Sequence, residues 1–575
     1  MEKLKNINRV EIILGLCFLA FLLLAGRLFV IQILEHEKWL AMAEGLQTQQ
    51  LKIEPKRGEI YTRLGSDTAP LVLNKTIYTV FADPQHINSA QEVISKVKPL
   101  VGEKWEDNDE LLYDQSRQYV VLARGLDNSQ NKQIGELDLD GVGSQSSSRR
   151  FYPEGSMLGQ TLGFVNLEGQ GQYGIEGVFD EKLAGQPGVL SGMTDIKGTF
   201  LPSSQYYSRL PAVNGQDIVL TIDRNIQYEA EEALRVGLAN VGASIGSVLV
   251  MDPNDGSVLA MASRPSYDPG YYGQVADANV FLNPVVSDPF EPGSVTKVFT
   301  TAASIDAGII NKDSTFENTD CIRIYDDEIC NATKGLGGTR SMTELLQNSL
   351  NVGTVWQLKQ MGGGEINSKG KNTLYNYFHN KYRFDQLTGI EQAAEVAGSI
   401  TEPDSPEAWD VRYANMTFGQ GFTTTMMSML GGFSAMVNGG VYYQPHLLYG
   451  TLDEHGKLVR TEPKIVSTDV VKASTSDDIK ELMYAARNHA NDGGHWVGSK
   501  SGTAEVYNPA TGDYIENYYI GTHIGFGADM GKNVKYVIMV RVDDYRGAGF
   551  AGTLAAGPIF TAMSNYIINY KGISK

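Results

Sequence analysis

Cysteine is almost missing from this chain: Cys17, Cys321 and Cys330 are the only three in 575 residues. Three thiols cannot build a disulfide-stapled scaffold, and without a C-x-x-C pair they do not spell a zinc site. Basic residues are in deficit, 48 Lys and Arg against 67 Asp and Glu. The formal charge of −19, with no long Lys/Arg run to offset it, argues against nucleic acid as a main partner. No internal repeat occurs, no H-E-x-x-H, and no Ser/His/Asp order of another hydrolase class. What is present is ordinary: 42% hydrophobic and 20% charged residues exclude disorder, collagen and a polytopic membrane protein. The length suggests three to four domains at about 150 residues each, with a core large enough to fold without disulfides or metals. The 62 glycines indicate many tight turns.

The one long apolar run is N-terminal. Lys3, Lys5 and Arg9 precede Ile12 to Leu34, which only Arg27 and Gln32 interrupt. As a helix those residues reach about 35 Å, enough to cross a hydrocarbon layer of about 30 Å. A cleaved signal peptide is the alternative, since Ile12 to Gly26 alone would fit its apolar core. The pattern resumes after Arg27, however, and Ala25-Gly26 makes a poor cleavage site, so an anchor is expected. The basic residues before it place the N-terminus in the cytoplasm and the rest outside. Arg27 either snorkels at the outer interface or meets a partner's membrane helix.

The expected organisation is therefore a tail and transmembrane anchor over 1–35, a mixed α/β domain over 36–211 and a larger α+β domain over 212–575. Ser146-Ser147-Ser148 reads as a loop and Asn214-Gly215 as a turn. Ile218 to Ile222 reads as a strand, Asp223 as an N-cap, and Ile226, Ala230, Ala233, Leu234 and Leu238 as one helical face. Ser247–Met251 and Ser257–Met261 form a hairpin through Pro253-Asn254-Asp255-Gly256. Thr522–Phe526 and Val534–Val542 are two more strands, followed by a helix from about Ala555 to Asn569. Strands at both ends around a helical middle imply one central antiparallel sheet, completed by distant segments and covered by helices.

Three motifs are set aside. Gly169 to Gly174 matches G-x-G-x-x-G, a weak signal in a glycine-rich chain. Gly370-Lys371 lacks the glycine and the Ser/Thr of a phosphate loop. His489, Asp492 and His495 read as a solvated loop rather than a metal site.

One constellation carries chemistry. In Glu291-Pro292-Gly293-Ser294-Val295-Thr296-Lys297, a turn leads into a helix with Ser294 in its first turn and Val295, Val298 and Ala302 on the buried face of an amphipathic pattern. Lys297, three residues on, can reach the Ser294 hydroxyl. A neutral lysine there can take the serine proton, and the helix N-terminus favours the alkoxide. S-x-x-K alone is unspecific, occurring at Ser95, Ser129, Ser294 and Ser368. Only Ser294 has the glycine turn and the right companions downstream. Ser349-Leu350-Asn351 follows a helix opened by the capping box Ser341/Glu344, and Asn351 is either a cap of the next helix or a polar group aimed into a cleft. Lys500-Ser501-Gly502-Thr503 begins a short strand. Lys500 there is either a solvent-facing edge lysine or a partner for the carboxylate of a peptide lying along a bare strand edge.

This ordered trio resembles the serine penicillin-recognising enzymes. The resemblance runs over nearly the whole chain and is to the class B penicillin-binding proteins. Arg57-Gly58-Glu59-Ile60, Arg150-Phe151-Tyr152-Pro153 and Gly174-Ile175-Glu176 look like motifs of their pedestal, or dimerisation, domain. Leu220-Thr221-Ile222-Asp223 with Gln227, then Asp252-Pro253, Leu259-Ala260 and Asp268-Pro269, look like their transpeptidase domain. Thr62 departs from the usual Asp of the first motif, with no Asn-Gly after Arg63, and Thr425-Met426-Met427-Ser428 departs from Thr-Pro-Leu-Gln.

The resemblance implies a monofunctional D,D-transpeptidase that cross-links peptidoglycan stem peptides through a serine acyl-enzyme and is a target of β-lactams. Ser294 would be the nucleophile and Lys297 the general base. Ser349 would relay a proton, oriented by Asn351 and the lysines. Lys500, Ser501 and Thr503 would hold the donor carboxylate beside Gly502, and the backbone N–H groups of Ser294 and Thr503 would form the oxyanion hole. It implies no metal or organic cofactor, and as partner a polytopic membrane polymerase acting on lipid II. Cys321 and Cys330, outside the cytoplasm and close in sequence, are expected to form a disulfide. Reduced thiols, or a metal site using Asp320, are the alternatives.

Overall fold

The computed structural model describes residues 9–39, 48–65, 67–193, 208–487, 494–508, 513–547 and 549–574. By backbone contacts the chain divides into two units, residues 1–57 with 184–215 and residues 58–183 with 216–575.

In the first unit the apolar run forms a helix over Arg9–Phe29, continued by a wider turn over Val30–Leu34. At 26 residues, with a mean hydropathy of 2.5 in its most apolar window, it is long and apolar enough to cross a membrane. Arg27 lies 3.9 Å from the Glu35 carboxylate, near the end of the span. The same unit holds a small antiparallel sheet of Thr48–Ile53, Gly188–Met193 and Ser208–Leu210.

Two sheets organise the second unit. The first sets Leu458–Arg460, Leu448–Leu452, Ile218–Asp223, Ile60–Leu64, Asp67–Ala82 and Val120–Leu126 side by side. Val142–Phe151 also pairs with Asp67–Ala82, so the serine cluster expected as a loop is strand, with Ser146 opposite Tyr78 and Ser148 opposite Thr76. Those serines are exposed, and the long partner strand supplies the ladder their own propensity does not favour. Gly171-Gln172 belongs to a two-residue ladder with Phe164-Val165, and the next helix has only five residues, so the G-x-G-x-x-G stretch opens no βαβ unit. His489 and Asp492 lie outside the described residues.

Asp223 ends a strand buried on both faces and caps the helix Arg224–Val241, accepting from the Asn225 and Ile226 N–H groups. Asp223→Ala should cost about 1 kcal/mol, the usual worth of such a cap. The check is a denaturation midpoint, and an unchanged midpoint would leave this cap without energetic weight.

Arg150 and Glu176, read as family motifs, form an ion pair at 2.6 Å with both side chains buried. Arg150 also donates to Asn74. Thr62 is wholly buried and donates to the Ile222 carbonyl at 2.5 Å, a bond that an ionised Asp could not make.

The second sheet is antiparallel, in the order Val258–Arg264, Gly246–Met251, Val534–Tyr545, Asp513–Ala528, Trp496–Asn508. Distant segments thus complete it. Alternation sorts its faces: Val248, Val250, Ile538 and Val540 pack with Leu234, Phe560 and Ile567 of the helices Arg224–Val241 and Gly557–Tyr570. Leu249, Met251, Val537 and Met539 face the helical middle, around Phe299, Leu430 and Phe433. The helix Thr296–Asp306 was expected to be amphipathic. It is buried on every side, and two of its hydroxyls find carbonyls inside, Thr300 at Thr417 and Ser304 at Thr300, while Thr296 Oγ1 is buried without a partner among the described residues.

Cys321 and Cys330 face each other across the hairpin Cys321–Ile324/Asp327–Cys330, and their sulfurs are joined at 2.09 Å. The Asp320 carboxylate is taken by the Gly335 and Leu336 N–H groups. Peptide mass spectrometry without reduction should recover the Cys321–Cys330 cross-link, worth about 2.5–3 kcal/mol for so short a loop. Two freely alkylated thiols would contradict it.

Candidate active site

A short 3₁₀ turn, Gly293–Val295, carries Ser294 into the buried helix Thr296–Asp306. Gly293 has φ +66°, and a side chain there would meet the Thr503 carbonyl at 2.8 Å. Gly502 is equally constrained from the other side, since a Cβ would lie 2.4 Å from Thr522 Oγ1 and 3.0 Å from the Pro292 carbonyl. These two glycines let the edge strand and the serine turn touch. The bond from Thr522 Oγ1 to the Pro292 carbonyl, 2.9 Å, then fixes the contact. Glu291 holds the other flank: it accepts from the Gly421 N–H at 2.7 Å, while Gly293 donates to the Gly419 carbonyl at 3.0 Å. Burial pushes the Glu291 carboxyl up from the usual range.

Lys297, one turn after Ser294, is completely buried. Its Nζ lies 3.0 Å from Ser294 Oγ and 3.0 Å from Ser349 Oγ, and donates to the Ser349 carbonyl at 2.6 Å. Among the described residues no carboxylate is bonded to it. Desolvation, reinforced by repulsion from Lys500, pushes its pKa well below the ordinary lysine value. A neutral amine fits this place: N–H groups satisfy the Ser349 oxygens and the lone pair is left for Ser294.

Ser349 owes its direction to the end of a helix. Helix Met342–Gln347 begins with the capping box Ser341/Glu344 and ends as the Leu350 N–H reaches back to the Leu345 carbonyl. That closure needs a left-handed residue just past the helix, usually glycine. Here Ser349 takes it, with φ +54°, a conformation that costs a non-glycine residue energy and is concentrated at functional sites. Asn351 does not cap the next helix; the cap position is Leu350, and the Asn351 amide donates to the Cys330 carbonyl at 2.8 Å. Asn351 therefore ties the serine turn to the disulfide-closed hairpin rather than bonding Ser349.

Lys500, Ser501, Gly502 and Thr503 lie within the 13-residue strand Trp496–Asn508, longer than expected and at the sheet's edge. Lys500 is 6% exposed and donates to the Ser501 carbonyl at 2.6 Å, so it is not a solvent-facing edge lysine. Burial lowers its pKa to about 7. His523, opposite Ser501 on the neighbouring strand and beside Phe560, is lowered to about 4 by burial and stays neutral at working pH. Thr553 donates to Ser501 Oγ at 3.2 Å, and the Gly552 N–H donates to Thr503 Oγ1 at 3.1 Å.

These groups open onto a cleft of about 530 Å³ lined by Ser294, Ser349, Asn351, Ser501, Gly502 and Thr503. Lys297 and Lys500 lie behind that lining. Phe418, Gln420, Tyr519, Phe550 and Thr553 also line the cleft and were not singled out in the sequence. For Gln420 a signal existed: it sits between Gly419 and Gly421, at φ +91° and +76°, a turn that pushes the intervening side chain forward.

Residues 246–565 match the penicillin-binding protein transpeptidase domain, and residues 52–220 the penicillin-binding protein dimerisation domain. Stage V sporulation protein D of Bacillus subtilis is 30% identical over 96% of this chain and 84% of its own length. The probable peptidoglycan D,D-transpeptidase PenA of Neisseria gonorrhoeae is 25% identical over 99% and 93%. Among solved structures, penicillin-binding protein 2X of Streptococcus thermophilus superposes with a TM-score of 0.74 at 21% identity, covering 91% of this chain and 80% of that one. The match to the transpeptidase domain covers more than half of the sequence, and the dimerisation match accounts for most of what precedes it. The chain belongs to the class B penicillin-binding proteins, serine D,D-transpeptidases of peptidoglycan synthesis.

Proposed function

We propose that Ser294 is the nucleophile of a D,D-transpeptidase reaction on peptidoglycan stem peptides, with residues 212–575 as its catalytic part and 36–211 as pedestal. The observation that carries this reading is the uncharged setting of Lys297 between Ser294 and Ser349. The donor peptide lies along the edge of Trp496–Asn508, its terminal carboxylate held by Lys500, Ser501 and Thr503. Ser294 Oγ attacks the penultimate D-Ala carbonyl and passes its proton to Lys297. The backbone N–H groups of Ser294 and Thr503 stabilise the oxyanion, each donor contributing about 3–4 kcal/mol in comparable sites. Ser349 conducts the proton from Lys297 to the leaving D-Ala amine, and Asn351 keeps the Ser349 turn against the hairpin. A second stem peptide's amine then attacks the acyl-enzyme, gives up its proton by the same route and regenerates Ser294.

The same reading places the anchor's N-terminus in the cytoplasm and the catalytic part outside it. A polytopic membrane polymerase that extends glycan strands from lipid II would meet the anchor around Arg27. The decisive experiment supplies a D-Ala–D-Ala donor and an amine acceptor, traps the acyl-enzyme and maps it by mass spectrometry. The adduct is expected on Ser294 and the product to be cross-linked. An adduct on another residue would overturn the assignment, and release of free acid despite abundant amine would make the enzyme a carboxypeptidase.

A further inference from the structure

A second cleft, of about 460 Å³, is lined by Tyr325, Asp327, Lys371 and the segment Ala408–Val411. Its charges are largely set against one another. Lys371 pairs with Asp410 at 2.7 Å and donates to the Ala408 carbonyl at 2.6 Å, and the Tyr325 hydroxyl donates to Asp410 at 2.9 Å. Two large aromatic residues remain open at its rim, Tyr325 at 78% and Trp409 at 59% exposure. Arg412 stacks over the Trp409 ring at 5.5 Å and stiffens it. Among the described residues, the Trp409 indole N–H and the Asp327 carboxylate have no hydrogen-bond partner. The cleft therefore offers aromatic faces, one free N–H donor and one free carboxylate acceptor around a neutralised floor.

That set suits a sugar ring carrying an amide. The C–H face of a pyranose is apolar and stacks on an aromatic ring, its hydroxyls donate to a carboxylate, and an N-acetyl carbonyl accepts from an indole N–H. A phosphate would meet the free carboxylate of Asp327 and no unpaired cation.

Both walls of this cleft lead to the active site. Asp327 and Cys330, three residues apart on one strand, line the two clefts respectively, about 10 Å apart at the usual rise. Val411 and Phe418, seven residues apart along helix Asp410–Met416 and its following turn, give about 10 Å again. A buried cluster of Ile324, Ile329, Val355, Ala414 and Phe418 fixes hairpin to helix, so the separation is rigid. A stem peptide with about four residues between its sugar and its reacting carbonyl spans at most about 14 Å. The walls of the two clefts are thus closer together than such a peptide is long, so a donor whose carbonyl lies at Ser294 can carry its sugar out toward this cleft.

We propose that the Tyr325–Asp327–Trp409 cleft binds an N-acetylated amino sugar of the glycan strand whose stem peptide reacts at Ser294. The identity of the ligand rests on the transpeptidase reading; the site rests on its own geometry. The test uses the full chain in detergent, first acylated with penicillin so that the active site is closed. Binding of a peptide-free oligomer of N-acetylglucosamine is titrated by calorimetry, a readout that does not depend on Trp409 itself. Saturable binding is expected, weakened at least about tenfold in Trp409→Ala, as loss of a stacking face implies, and weakened also in Asp327→Asn. Both variants should take labelled penicillin at the wild-type rate. Cross-linking of glycan-borne stem peptides should fall in Trp409→Ala, while that of free stem peptides should not. No binding by the acylated chain, or binding untouched by Trp409→Ala, would overturn the proposal. Failure of Ser294 to take penicillin would instead count against the transpeptidase reading.

Discussion

A Ser294→Ala chain should take no covalent label from a fluorescent penicillin, and Lys297→Ala should slow labelling by about 10²–10⁴-fold, the range of general-base losses. The asymmetry follows from the geometry. Among the described residues Ser349 is the one other hydroxyl bonded to Lys297, but its Oγ is held by Lys297 beyond a left-handed turn and lacks the helix-start position of Ser294. The β-lactam amide occupies the place of the D-Ala–D-Ala bond, yet its leaving amine stays tethered and obstructs the resolving nucleophile. Lys297 is committed to Ser294 and Ser349, and the carboxylate among the lining residues, Glu505, lies exposed two residues beyond Thr503 on the edge strand, so the wild-type adduct should outlast a catalytic turnover by orders of magnitude. Gel fluorescence after a chase with unlabelled penicillin reads both quantities. Label surviving in Ser294→Ala would misplace the nucleophile. Hydrolysis of the wild-type adduct within seconds would make the protein a β-lactamase.

How much of this was legible in the sequence depended on how local the causes are. The strand Ile218–Asp223, its Asp223 cap and the buried face of the following helix could be read directly, because period and capping are properties of neighbouring residues. The trio Ser294/Lys297, Ser349/Asn351 and Lys500-Ser501-Gly502 was found by order and resemblance. Its geometry was not, since what brings Gly502 against Pro292 is a sheet whose strands are more than two hundred residues apart in the chain. The serine cluster at 146–148 failed as a loop because a sixteen-residue partner strand outweighs serine's poor propensity. The helix after Ser294 failed as amphipathic because it is the centre of the domain, where hydroxyls find carbonyls inside rather than water. Asn351 fails as a helix cap, since that position is Leu350, but it lines the cleft with Ser349 as the other reading had it. Its partner, the Cys330 carbonyl, lies on a hairpin whose docking no local pattern announces.

The two buried lysines set opposite limits on activity with pH. Lys297 must be neutral to accept the Ser294 proton, and its depressed pKa brings that state within reach below the ordinary lysine range. Activity therefore rises as pH climbs through the Lys297 pKa. Lys500 must be charged to hold the donor carboxylate, and in the free enzyme it loses its proton near pH 7. Above that pH, kcat/KM for a carboxylate-bearing donor should fall about tenfold per unit, giving a bell whose limbs belong to the coupled pair. His523, neutral down to about pH 4, adds no limb in this window. Lys500→Arg separates the two lysines: a guanidinium stays charged throughout, so the alkaline limb should vanish while the acid limb remains. The same substitution should raise KM, because the fork cannot reproduce the ammonium's bond to the Ser501 carbonyl. Penicillin acylation rates across pH 5 to 10 provide the measurement, since penicillins carry the same carboxylate. An alkaline limb that persists unchanged in Lys500→Arg would remove Lys500 from carboxylate recognition and return it to a structural role behind the edge strand.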